Sequence, residues 1–195
     1  DLLAEKYAIG ARTSLANYSF YMGTTNDNYD EVLRTDPETV CGIKIFMGSS
    51  TGNMLVDKAA TLDRLFANAP MLIATHCEDE ATILRNLEAF KQRYPDGISA
   101  DQHPEIRNVE ACLLSSSFAT ELARKHNTRL HILHISTKDE LALFDNSVPL
   151  AQKRITSEVC VHHLYFHAAN YSELEHQIKC NPAIKDQSHR DALFP

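Results

Sequence analysis

Gly42-Ile43-Lys44-Ile45-Phe46-Met47-Gly48-Ser49-Ser50-Thr51-Gly52-Asn53 is an apolar run that ends in small polar residues. It reads as a strand covered on both faces, the pattern of a parallel sheet, followed by a small-residue loop. Lys44 breaks the pattern. An ammonium in an apolar site must be paired, neutralised or functional. Desolvation lowers the pKa of a lysine, and the neutral amine is nucleophilic. Such an amine can take up carbon dioxide and become a carbamate, which replaces a cation with two oxygens able to bridge two metal ions. The alternative is a lysine that runs along the strand end to reach water.

The chain has 195 residues, of which 44% are hydrophobic and 23% charged, with a net charge of −7. These values describe a globular protein with room for one domain with a sizeable core, or for two. Clustered Lys and Arg, the footprint of a nucleic-acid binder, are absent. No apolar run approaches the roughly 18 residues of a membrane helix. Asp1-Leu2-Leu3-Ala4-Glu5-Lys6 does not read as a leader peptide. Five widely spaced cysteines (Cys41, Cys77, Cys112, Cys160, Cys180), with no CxxC, fit reduced thiols and a cytoplasmic location.

In chain order, the spacing predicts a helix over 1–12 and an aromatic strand over 17–22. A short helix follows from Asn28 to Leu33, and then the Lys44 strand. Asp57 is placed to cap a helix carrying Leu62, Leu65 and Phe66. Met71 to His76 is a second apolar strand, followed by a helix over 79–93. Tyr94 to Pro104 reads as loop, and 105–126 as one long helix. Leu130 to Ile135 is a strand, after which Ser136 or Thr137 caps a short helix through Leu143. Arg154 to Val161 is the last strand-like run. Strand and helix alternate about five times, which implies a parallel sheet with crossover helices.

Lys44, His76 and His134 close successive strands, at the end where a (β/α)8 barrel builds its site. A whole barrel takes roughly 250 residues and eight units. Residues 1–195 are therefore read as the central part of an α/β, TIM-like barrel, lacking its first and last strands. An open doubly wound sheet is the alternative, but no GxGxxG or P-loop supports it. Neutral imidazole suits zinc, and carboxylates suit cation pairs. A single strand-end histidine is ordinarily a hydrogen-bonded residue; two on consecutive strands beside Lys44 suggest ligands. His131 and His134 are three apart and should face opposite sides of a strand, so His134 is preferred. Glu158 is either a partner that orients a ligand or an exposed, ion-paired residue. One of His162 and His163 is read as structural, and His103, His126, His167, His176 and His189 as solvated.

Several segments resemble the dihydroorotases of the amidohydrolase superfamily, in that family's order. They are 42–53, Thr75-His76-Cys77-Glu78-Asp79, His103-Pro104-Glu105-Ile106-Arg107, Leu130-His131-Ile132-Leu133-His134-Ile135-Ser136, 156–164 and Lys179-Cys180-Asn181-Pro182. The resemblance implies a carboxylated Lys44 bridging two zinc ions, with His76 and His134 as ligands and Asn181 beside the substrate. Val161 stands where the family usually has proline. The family's His-x-His pair would precede Asp1, and its proton-shuttling aspartate would follow Pro195. No catalytic acid–base residue is therefore assigned within 1–195, and this stretch alone is expected to be inactive. The implied reaction is metal-assisted, reversible closure of carbamoyl aspartate to dihydroorotate in pyrimidine biosynthesis. The implied partner is a small molecule, with no nucleic acid and no membrane; a homodimer is the commonest assembly. Two readings compete with this one: a hydantoinase or allantoinase sharing the Lys/His pattern, and a metal-free barrel relative serving as a scaffold.

Overall fold

The computed structural model describes residues 2–48, 50 and 52–194. The Ser49–Asn53 loop, part of the dihydroorotase resemblance, falls partly on Ser49 and Thr51, which lie outside these residues. Five parallel strands run in the order β1-β2-β3-β4-β5: β1 (Tyr21–Gly23), β2 (Gly42–Phe46), β3 (Ile73–His76), β4 (Leu130–Ile132) and β5 (Ile155–Ser157). Each strand pairs with the next in sequence, with no reversal of order. A doubly wound sheet needs such a reversal, so the sequential order matches a barrel segment instead.

The helices are α1 (Leu2–Thr13), α2 (Tyr29–Leu33), α3 (Ala59–Asn68), α4 (Glu80–Arg93), α5 (His103–Ile106), α6 (Val109–His126), α7 (Val161–Tyr165), α8 (Tyr171–Leu174) and α9 (Gln187–Leu193). Ile43, Ile45, Ile73, Leu130 and Ile132 are fully buried and pack against Leu62, Leu65 and Phe66 of α3 and Leu122 of α6. That face of the sheet is the helix-covered one. The register puts Gly23, Lys44, Ala74, His131 and Thr156 in one row on the opposite, inner face.

Several expectations are corrected by local hydrogen bonding. The first strand is shorter than 17–22, because Phe20 packs edge-on against Tyr7 of α1 at 4.9 Å. Asp57 does not cap α3: Lys58 holds that position without a side-chain bond, and Asp57 accepts from Asn26 Nδ2 at 3.0 Å. The long helix over 105–126 is broken at Asn108, whose Oδ1 accepts from the Ala111 N–H and starts α6 anew. Within the expected loop, Ser99 and Gln102 cap a 3₁₀ turn over Ala100–Gln102. The last strand stops at Ser157, and Val161 opens α7, so His162 and His163 lie on a helix.

Gly48 ties two loops together. A Cβ there would sit 2.1 Å from the Glu78 carbonyl oxygen, so the loop after β2 rests directly on the loop after β3. Backbone cannot yield as a flexible side-chain end can. Gly48→Ala is expected to lower stability by about 1–3 kcal/mol, measured by denaturant unfolding. Unchanged stability would mean that the two loops are not in contact.

Candidate active site

His76 ends β3 and is buried, with both ring nitrogens engaged. Nε2 meets Glu78 Oε2 at 2.9 Å, and Nδ1 meets His134 Nε2 at 3.1 Å. Burial alone would raise the Glu78 pKa. The hydrogen bond from His76 and the positive charge of Arg107 outweigh it and hold the carboxyl below its usual range. An ionised carboxylate only accepts, so His76 Nε2 carries the proton and Nδ1 presents its lone pair toward His134. Arg107 also hydrogen-bonds Glu78 Oε2.

His134 reaches this position by an unusual route. β4 ends at Ile132, and the Ile132 carbonyl and the Ile135 N–H both bond to the backbone of Glu158, at 3.1 and 2.9 Å. Leu133 and His134 are thus two residues looped out opposite one, as in a β-bulge. His134 takes φ +42°. The bulge resets the alternation, so His131 and His134 both serve the inner face. The sequence-level rule that they face opposite sides fails here. Burial, followed by the charges of His76 and Lys44, drives the His134 pKa down to about 3, which keeps the ring neutral.

Lys44 lies one row below, in register with Ala74, while Phe46 is in register with His76. Its Nζ is buried without a hydrogen-bond partner among the described residues and lies 4.1 Å from the Phe46 ring centroid. Burial lowers its pKa to about 8, against opposing pulls from Cys77 and Glu158. The reading of Lys44 as reaching water is therefore incorrect.

The donor set fits a cation. His76 Nδ1 and His134 Nε2 are 3.1 Å apart. Two nitrogens bound to one tetrahedral zinc stand about 3.3 Å apart. Moving the His134 proton to Nδ1 would give both nitrogens free lone pairs. A carbamate on Lys44 would turn the orphaned amine into an oxygen donor.

The other predicted residues are placed differently. Glu158 reaches His131 Nε2 at 3.3 Å, and His131 Nδ1 meets Thr156 Oγ1 at 2.8 Å, so Glu158 orients His131 rather than His76 or His134. Asn181 lies in a separate cleft of about 480 Å³, lined also by His103, Arg107 and Lys179. Its Oδ1 is 3.1 Å from His103 Nε2, which also lies 2.9 Å from the Cys180 carbonyl. His103 and His189 are buried rather than solvated, and His189 Nδ1 accepts from the Lys138 N–H at 3.1 Å. Of the pair His162 and His163, His163 is the buried one, with Nε2 on the Pro182 carbonyl. Sequence reasoning missed Glu78 and Arg107. Their signal was a carboxylate two residues after a strand-end histidine and an arginine closing the 103–107 segment.

No family model matches the chain. It is 24% identical over 186 residues to the dihydroorotase of Methanosphaera stadtmanae, covering 95% of this chain and 41% of that protein. It is 25% identical over 200 residues to the allantoinase of Streptomyces avermitilis, covering 98% of this chain and 42% of that one. A dihydroorotase of Methanosarcina acetivorans is 30% identical over 77% of this chain and 33% of its own length. The structure of an L-hydantoinase from Arthrobacter aurescens superposes with a TM-score of 0.86 at 18% identity, covering 98% of this chain and 43% of that one. The chain thus spans about two fifths of the length of the first two relatives.

Lys44 titration has a defined sign. In unfolded chain the amine titrates near 10.5, and in the folded, metal-free protein near 8. Below pH 8 both states are protonated, and the folded state carries the full desolvation cost, at most about 3 kcal/mol. Between pH 8 and 10.5 the unfolded state binds more protons, so stability rises with pH. Lys44→Met should therefore be more stable than wild type below pH 8, with the gap closing by about pH 10.5. Chelated protein unfolded by denaturant across that range tests this, and a pH-independent gap would contradict it.

In sequence along nearly its whole length the chain is similar to proteins named dihydroorotase and allantoinase, and its fold superposes on part of a hydantoinase chain.

Proposed function

We propose that the protein is a zinc-dependent cyclic amide hydrolase, acting as a dihydroorotase that interconverts carbamoyl aspartate and dihydroorotate. The observation that carries this is the buried Lys44 Nζ, without a hydrogen-bond partner among the described residues, on the same sheet face as the paired His76 and His134 nitrogens. Lys44, as its carbamate, together with His76 and His134 would hold two zinc ions, with further ligands from outside 1–195. Zinc so held supplies Lewis acidity toward the ring amide carbonyl and activates water.

The chain's own residues then have distinct tasks. Glu78 keeps the His76 Nε2 proton in place, so that Nδ1 is the donor atom. Arg107 joins Glu78 to the adjoining cleft, where Lys179 and Asn181 offer a cation and an amide to an anionic ring substrate. His103 fixes the Asn181 side chain. The proton delivered to the leaving nitrogen comes from an aspartate beyond Pro195. Residues 1–195 alone are therefore inactive, and the intact enzyme works in the cytoplasm, with a homodimer as the commonest assembly. A hydantoinase or allantoinase activity is the second reading, favoured by the allantoinase relative and the hydantoinase fold match.

The full-length protein, supplied with zinc, should turn over dihydroorotate and leave hydantoin and allantoin untouched. Turnover of a control ring would retain the metal site and replace the substrate; a metal-free protein inert toward all three would point to a scaffold. Lys44→Ala should lose bound metal and activity together, and a short carboxylic acid should partly restore both. Full metal occupancy in that variant, measured by elemental analysis, would contradict the role given to Lys44.

A further inference from the structure

We propose that Cys160, His162 and His163 form a binding position for a thiophilic divalent cation, zinc above all, distinct from the Lys44, His76 and His134 set. One donor atom from each of the three lies within 4.8 Å of the others. Cys160 takes the extended cap position of α7, and the two histidines occupy its first turn, so the chain folds three donors from four consecutive residues onto one side. The two imidazole rings have centroids 4.4 Å apart.

An independent observation concerns His163, which is 4% exposed. Its Nε2 is 3.0 Å from the Pro182 carbonyl. A carbonyl only accepts, so Nε2 holds the proton and Nδ1 is left with a bare lone pair. That Nδ1 is buried without a hydrogen-bond partner among the described residues. An orphaned acceptor of this kind is costly. A histidine whose other N–H is fixed on a backbone carbonyl is also the usual arrangement of a metal ligand. Burial pushes the His163 pKa down to about 4, despite the bond to Pro182, so the lone pair persists at neutral pH.

The donor chemistry selects the ion. One thiol and two neutral imidazoles suit zinc and exclude calcium and magnesium, which want oxygen. Three protein donors leave a fourth position open. Burial, with the charge of Glu158, raises the Cys160 pKa, so the thiol is protonated without a cation. Binding would convert it to thiolate and release one proton. Cys180 Sγ lies 3.9 Å from the protonated Nε2 side of His163, away from the bare nitrogen, and is not counted as a donor.

Cobalt(II) is the probe, because only a thiolate ligand gives a sulfur-to-cobalt charge-transfer band in the near ultraviolet. Nitrogen and oxygen donors at Lys44, His76 and His134 give none. Reduced, chelator-treated full-length protein titrated with Co2+ should develop this band, saturating at one sulfur-ligated ion per chain, and excess Zn2+ should bleach it. Cys160→Ser should abolish the band. His162→Asn and His163→Asn should each weaken Co2+ binding at least tenfold, and Cys41→Ser should leave it unchanged. Circular dichroism establishes that each variant is folded; His162→Asn, at a half-buried position, is the mildest of them. Absence of the band at saturating Co2+, its persistence in Cys160→Ser, or unchanged affinity in both histidine variants would overturn the proposal.

Discussion

A primary amine buried without a hydrogen-bond partner among the described residues is the constraint around which the inner face of the sheet is arranged. Lys44 Nζ has the Phe46 ring as its close neighbour. Small residues flank it in its row, Gly23 on one side and Ala74 on the other. The helix-covered face carries the opposite chemistry: Ile43, Ile45, Ile73, Leu130 and Ile132 pack on α3 and α6. The sheet therefore divides its two tasks by parity: odd positions of β2 hold the fold, and even positions hold the site.

That parity was legible in the sequence for β2 and β3, where Lys44 and His76 interrupt otherwise apolar runs. It failed in β4. The alternation rule was sound for His131, which does face inward, and broke at the two-residue bulge that turns His134 back to the same side. Nothing in Leu133-His134-Ile135 announces the positive φ, because the bulge is set by the backbone of Glu158, just past the end of the next strand. Boundaries failed for similar reasons. Asn108 restarts a helix that apolar spacing alone would run straight through, and Asp57 spends its carboxylate on Asn26 rather than on a helix end. Helices α1, α2 and α4 were legible because their apolar spacing and end signals agree.

The histidines illustrate how far burial can depart from local sequence. His103 and His189 sit in segments that read as polar surface, yet each is buried by residues distant in the chain: Cys180 and Asn181 for the first, Lys138 for the second. The segment after β5 folds back over the middle of the chain and closes the cleft that Asn181 lines. Glu78 gains its importance the same way. It is unremarkable in sequence, and it becomes the link between a buried imidazole and Arg107 only when α5 is laid beside the end of β3.

The contact between Gly48 and the Glu78 carbonyl bears on how such a protein can diversify. Barrel enzymes change their chemistry mainly by lengthening and reshaping the loops that follow their strands. Here two of those loops are in backbone contact, so neither can accept an insertion without displacing the other and the His76–Glu78 bond with it. A change of length in either of these two loops is therefore coupled to the position of the His76 ring.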